Sequence, residues 1–268
     1  MKIVVTDAGG QVVRTLYGPG KQGVNRVTWN MRYDDAKGLN SARRPDEEPE
    51  SSNQGEPAAL PGKYKVTVTA AGKTENTEVA VEADPRMPFD MEAGRAQLKQ
   101  ALELRGWMNA MNESLNRIDS LKSQIDTVQR LLGPEAENSG VENVAYQPVL
   151  AQARALRRKL NTVEETVFNV AAAGDPVARL HNLARPHDRL QSAYRAVSQP
   201  YNQAPAPLVM EDVTAAKREL DAYLAAFNEL LRTDVAAFNK LALEKGANTL
   251  FAGGPIELKA VAATSSGQ

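Results

Sequence analysis

Two histidines, His181 and His187, and no cysteine at all leave this 268-residue chain little nucleophilic or metal chemistry to draw on. Without thiols there is no disulfide, no thiolate nucleophile and no sulfur metal site. On one continuous helix a six-residue spacing turns the two rings by about 600°, so they point apart. Pro186 between them can bend the chain, yet no second ligand set accompanies them. Interfacial or partly buried imidazoles are therefore favoured over a zinc pair, and no metal ligand is assigned. A histidine-based triad is nearly excluded.

Carboxylates are more abundant, but abundance is not geometry. A glycosidase pair must be held at a fixed separation across a cleft. Glu164-Glu165 and Glu211-Asp212 fall on helical patterns as solvated faces, while Asp46, Glu47, Glu48 and Glu50 crowd a polar segment whose spacing does not match a calcium loop. The run Gly18-Pro19-Gly20-Lys21-Gln22-Gly23 spells G-x-G-x-x-G, but a strand pattern follows it and Pro19 takes the second position. A dinucleotide loop needs a helix there, so the run reads as a turn. No catalytic residue and no cofactor is assigned. Trp29, Tyr33 and Tyr64 are the candidate ligand-facing residues, since three aromatic rings can stack on a sugar. Trp29 runs in phase with Val27 and Met31, however, which favours a place in the core.

The elements that would position these residues divide the chain in two. Residues 1–84 carry the period of two expected of strands. Ile3 and Val5 alternate with polar neighbours, Asp7-Ala8-Gly9-Gly10 supplies a turn, and 12–17 returns as a hairpin. Further strands are expected over 24–33, 63–70 and 77–82, with Val27, Trp29, Met31, Tyr64, Val66, Val68, Val79 and Val81 inward. Residues 34–61 are so polar that a mobile loop is expected. Short strands between Gly/Pro turns predict an Ig-like β-sandwich. Five strands is thin for one, so the remaining strands are expected upstream of Met1.

A linker over 85–90 leads to helical periodicity over 91–245. Leu104, Met108, Met111, Leu115, Ile118, Ile125 and Leu132 form one stripe, stopped by Gly133-Pro134. A second stripe runs from Ala153 to Val170. A third comprises Val177, Leu180, Leu190, Tyr194 and Val197, interrupted at Pro186, and a fourth runs from Val213 to Phe238. Four such segments with short breaks predict an antiparallel four-helix bundle. Leu121 or Val128, if exposed, would support a coiled-coil-like dimer; composition does not decide the oligomeric state. The tail, 246–268, is small and polar and expected to be disordered. The fold class is thus α+β and multidomain.

With 32 basic and 33 acidic side chains there is no global field to attract nucleic acid or an anionic membrane. No apolar run approaches the ~20 residues of a membrane span. The first residues read as a strand rather than a secretory signal.

The strand motifs at residues 3–16, 23–32 and 60–68, with Asp84-Pro85-Arg86, resemble the Ig-like domain of the flagellar hook-capping type. Followed by a helical region, they resemble the C-terminal region of bacterial sortilin-like (VPS10-type) β-propeller proteins, often labelled BNR-repeat or glycosyl hydrolases. Asn30 stands where that family usually has Asp, and no propeller repeat is present, so no catalytic residue carries over. The resemblance implies a secreted or periplasmic parent and an upstream β-propeller, or another protein domain, as partner. The expected function is a non-catalytic structural or interaction module. The alternatives are a carbohydrate-binding module, or part of a glycoside hydrolase whose active site lies in an upstream propeller.

Overall fold

The computed structural model describes residues 1–40, 55–133, 144–168, 185–199 and 205–258. It is α+β: a four-stranded antiparallel sheet followed by helices. β1 (Lys2–Thr6) and β2 (Val12–Tyr17) form the expected first hairpin. Asp7 Oδ1 accepts from the amides of Gly9 and Gln11, and Gly10 turns with φ 78°. β3 (Gly62–Ala70) and β4 (Lys73–Val81) form a second, turning through Ala71 and Gly72 at φ 49° and 77°, the signs of a type I′ turn. The order β2-β1-β3-β4 makes β2 and β4 the edges.

Val5 lies opposite Arg14 on one side and Val66 on the other, so these three share a face. A bulge between Val5 and Thr6 shifts the register and re-aims Val13, which is fully buried beside Val5. Over this apolar face lie Trp29, Tyr33, Ala59 and Leu60 together with Leu98 and Leu102 from the first helix. Helix and coil thus occupy the place of a second sheet, which does not form among the described residues. The expected strand over 24–33 keeps its alternation, with Asn25, Val27 and Trp29 half-buried between exposed neighbours. Its one ladder contact is the bridge from Arg32 to Ala58. At Met31 the left-handed φ of 56° breaks the phase and leaves that side chain exposed rather than inward. Val79, also expected inward, is 40% exposed because β4 has no neighbour beyond it.

α1 (Met91–Leu132) begins where Asp90 accepts from the amides of Glu92 and Ala93, and ends at Gly133. Its 42 residues make a rod about 63 Å long. The predicted stripe is its buried face. α2 (Gln147–Val167), α3 (Pro186–Ser198) and α4 (Pro207–Leu230) follow; a π-helical turn (Leu231–Val235) joins α4 to α5 (Ala236–Glu244). The break expected at Pro186 is the start of α3, where proline suits a first turn. Val170, Val177 and Leu180 lie outside the described residues.

Ion pairs and hydrogen bonds fix the directions. Lys122 meets Glu164 and Asp126 meets Arg157, so α2 runs antiparallel to the far half of α1. Asn112 meets His187 and Gln97 meets the carbonyl of Val197, so α3 runs antiparallel to the near half. Trp107 meets Lys217 and Ser114 meets Tyr223, so α4 runs parallel to α1. The four predicted segments therefore make three rods, with α2 and α3 sharing one side of α1.

Three further expectations change. Leu121 and Val128 are 0% and 3% exposed, filled in by that packing, and offer no dimer seam. Residues 246–258 are held against the helices, with Leu250 and Ile256 buried in the core. The flanks of the polar 34–61 segment are anchored as well: the amides of Lys37 and Asn40 donate to Asn109 and Asn116 of α1. If Leu121 is core, Leu121→Ala should lower unfolding free energy by about 2–5 kcal/mol. Denaturant titration at two protein concentrations checks this: a concentration-dependent loss would instead mark a dimer seam.

Candidate functional site

A network of polar groups around the buried Glu56 lies at the seam between sheet and helices. Arg14 enters it from β2. Its Nη1 donates to Glu56 Oε1 at 2.8 Å and to the carbonyl of Tyr33 at 2.8 Å, and its Nε lies 3.5 Å from Asp34 Oδ1. Glu56 is 1% exposed. Its Oε2 accepts from Asn30 Nδ2 at 2.9 Å, and its carbonyl accepts from Arg32 Nη1 at 2.6 Å. From the helical side, Arg105 of α1 donates to the carbonyl of Asp34 at 2.9 Å and lies 5.8 Å above the Tyr33 ring. Tyr194 of α3 donates to Asp35 Oδ1 at 3.0 Å. A Cβ on Gly55 would overlap the Tyr194 ring, so the glycine lets this strand of coil lie flat against α3.

Burial pushes the Asp35 carboxyl above its usual range, with the Ala36 amide and Tyr194 hydroxyl partly offsetting it. Burial likewise drives the Tyr33 and Tyr194 hydroxyls well up, and that of Tyr64 to about 12. Of these groups, Tyr194 and Asp35 bond each other directly, while Tyr64 donates to the main chain. The arrangement ties β2, two coil segments, α1 and α3 at one point. A buried carboxylate is tolerated because it is fully hydrogen-bonded.

The three aromatic candidates do come together, but face inward. Trp29 and Tyr64 meet edge-to-face at 5.2 Å, and Trp29 Nε1 donates to the carbonyl of Arg32. Tyr33 and Tyr64 are 3% and 5% exposed, and Tyr64 donates to the carbonyl of Leu60 at 2.6 Å. A sugar-stacking platform is not formed, because Leu98 and Leu102 cover the rings. A cavity of about 100 Å³ adjoins the seam, between Leu60, Phe89, Leu98 and Val197, well below the several hundred Å³ of a typical ligand pocket.

A second buried group centres on His187, 6% exposed at the start of α3. Asn112 Nδ2 donates to the carbonyl of Lys37 at 2.6 Å, which leaves Asn112 Oδ1 to accept from His187 Nε2 at 3.0 Å. This network assigns the Nε2–H tautomer. Nδ1 is then an acceptor without a hydrogen-bond partner, 3.8 Å from Asp188 Oδ1. Burial holds the imidazole below its usual value, with Asp188 pulling the other way. His181 lies outside the described residues, as do Asp46, Glu47, Glu48 and Glu50. Among the described residues no group of three or more His, Asp or Glu side chains is placed to hold a metal.

Glu164, expected on a solvated face, is 6% exposed and paired with Lys122 at 2.5 Å; Glu165, Glu211 and Asp212 are exposed as expected. Glu56, Arg14, Asp35 and Asn112 carry no motif. The signal that exists is spacing: Arg105, Asn109, Asn112 and Asn116 recur at fours and threes, and all four grip the 34–40 main chain. No helix among the described residues is long and apolar enough to cross a membrane.

Removing one partner of a buried ion pair strands the other. Glu56→Ala should therefore cost about 3–5 kcal/mol, while the double variant Arg14→Met with Glu56→Leu should lose clearly less, as a double-mutant cycle in urea would read. The His187 ring is depressed in the folded state, so the unfolded chain takes its proton first. Stability from this site is present above pH 6.5 and falls as pH drops below it. Denaturation midpoints between pH 8 and pH 5 should show that fall, and His187→Gln should flatten it.

No protein-family model matches the chain, and no match is found among curated proteins or solved structures.

Proposed function

We propose that the chain is a non-catalytic interaction module that takes a partner protein along the open edge of its sheet. One observation carries this reading: β4 is nine residues long, forms an edge, and is exposed from Lys73 through Ala80. An edge strand of that length presents unpaired N–H and C=O groups ready to template another strand. At the C-terminal end of β4 opens a shallow groove of about 300 Å³ lined by Met31, Val81, Met87 and Phe89, which suits an apolar side chain. Glu75, Glu78 and Glu82 outnumber Lys73 along the edge, favouring a basic extended segment.

In this reading the partner is a β-propeller or another domain of a secreted or periplasmic sortilin-like protein. The sheet with its 24–33 layer is then a reduced Ig-like sandwich, and the helices a bundle. Support comes from the alternating burial of 24–30 and from the single apolar core that all five helices share.

The purified chain should bind a propeller domain encoded in the same genome with roughly micromolar affinity. Val79→Lys, a charge on the edge, should abolish that binding without altering circular dichroism. Binding that survives Val79→Lys places the partner elsewhere, and hydrolysis of chromogenic glycosides by the purified chain would overturn the non-catalytic assignment.

A further inference from the structure

The segment after α5 is gripped in the way a protein grips a peptide ligand. α5 ends in a tight cap at Gly246 (φ 67°), where the amide of Ala247 donates back to the carbonyl of Ala242. From there to Leu258 the chain is without helix or ladder, yet its burial alternates: Leu250, Ala252, Ile256 and Leu258 turn inward, while Phe251 and Glu257 face out. Three side-chain amides from three helical elements hold its main chain, each by two bonds. Asn239 donates to the carbonyl of Leu250 at 2.9 Å and accepts from its amide at 2.7 Å. Gln124 does the same to Phe251 at 3.1 and 2.7 Å, and Asn228 to Ile256 at 2.9 and 2.9 Å. Arg117 donates to the carbonyls of Ala252 and Gly254. At Gly253, φ 71°, a Cβ would sit 3.2 Å from the Arg117 guanidinium.

An amide that both donates to and accepts from one residue's main chain imitates a neighbouring β-strand. Such contacts read backbone and tolerate any side chain, so selectivity falls to the anchors: two aliphatic residues six apart, with a glycine pair between them under the arginine. Helix packing alone does not call for this device, since a tail could cover the core through apolar contact.

We propose that this groove, formed by α1, α4 and α5, is a recognition site for an extended peptide, and that residues 247–258 are its resident, displaceable occupant. The partner it fits is an extended segment of another protein with the pattern aliphatic-x-small-Gly-Gly-x-aliphatic. The site is separate from the β4 edge and does not depend on the reading of that edge.

The test uses the full chain carrying Leu250→Asp and Ile256→Asp, which release its own tail, and a fluorescent peptide of residues 247–258. Fluorescence anisotropy should show saturable binding to this variant and none to the unmodified chain at the same concentrations. Adding Asn228→Ala and Asn239→Ala should weaken binding by about tenfold or more. Val79→Lys should leave it unchanged, which separates this site from the sheet edge. A folded, tail-released variant that fails to bind the peptide overturns the proposal. If the variant does not fold, native-state hydrogen exchange on the unmodified chain decides. Amides of Leu250, Phe251 and Ile256 should exchange through local opening far faster than those of α1, and exchange only on global unfolding overturns the proposal equally.

Discussion

A helix about 63 Å long with one continuous apolar stripe cannot cover that stripe by itself, and the rest of this chain is arranged to do so. The first turns of α1 give Leu98 and Leu102 to the sheet, and from Leu104 onward the same helix belongs to the helical core. One rod therefore serves two cores. α3 and α2 cover its near and far halves in succession, α4 lies alongside, and residues 250–256 close what remains. Sheet and helices share a wall, and damage to the first turns of α1 is felt by both.

Apolar contact does not by itself specify how the sheet sits on that wall. The polar seam does. Arg14 and Glu56 reach each other across 42 residues of sequence, and Arg105 and Tyr194 tie the same point to two helices. Both carboxylate oxygens of Glu56 have directional partners there, so a slipped or rotated sheet would bury a charge without its counterion, a penalty of several kcal/mol. The asparagines of α1 act in the same sense, holding the 34–40 main chain at a fixed height along the rod.

What could be read from the sequence followed the range of the forces involved. Helical periodicity and turn chemistry are local, so the extent of α1, the break at Pro186 and both hairpins were legible. The alternation over 24–33 was also legible, but whether it becomes a ladder depends on a distant partner, and Ala58 supplies a single bridge. Glu164 looked like a surface charge because Lys122, its partner, lies 42 residues away on another helix. Glu56 sits in a polar stretch that imitates a mobile loop. The tail failed for the same reason: glycine, proline and alanine resemble disorder in composition, and two anchors, Leu250 and Ile256, are too few for a period. Asparagine is a poor helix former, so Asn109, Asn112 and Asn116 at helical spacing were a visible anomaly whose meaning needed the main chain they hold.

The end-to-end placement of α2 and α3 on one side of α1 imposes an order of assembly. Lys122 and Glu164 close a loop of 42 residues, Gln97 and Val197 one of 100, and Arg117 and Gly254 one of 137. Because closure entropy rises with the span, the far end of α1 zips first, its near half later, and the terminal segment last. Until α3 arrives, the stretch of α1 from Leu104 to Met111 lacks its helical cover on a nascent polypeptide. The period of greatest aggregation hazard for this protein is thus set by how long synthesis takes to travel from α1 to α3.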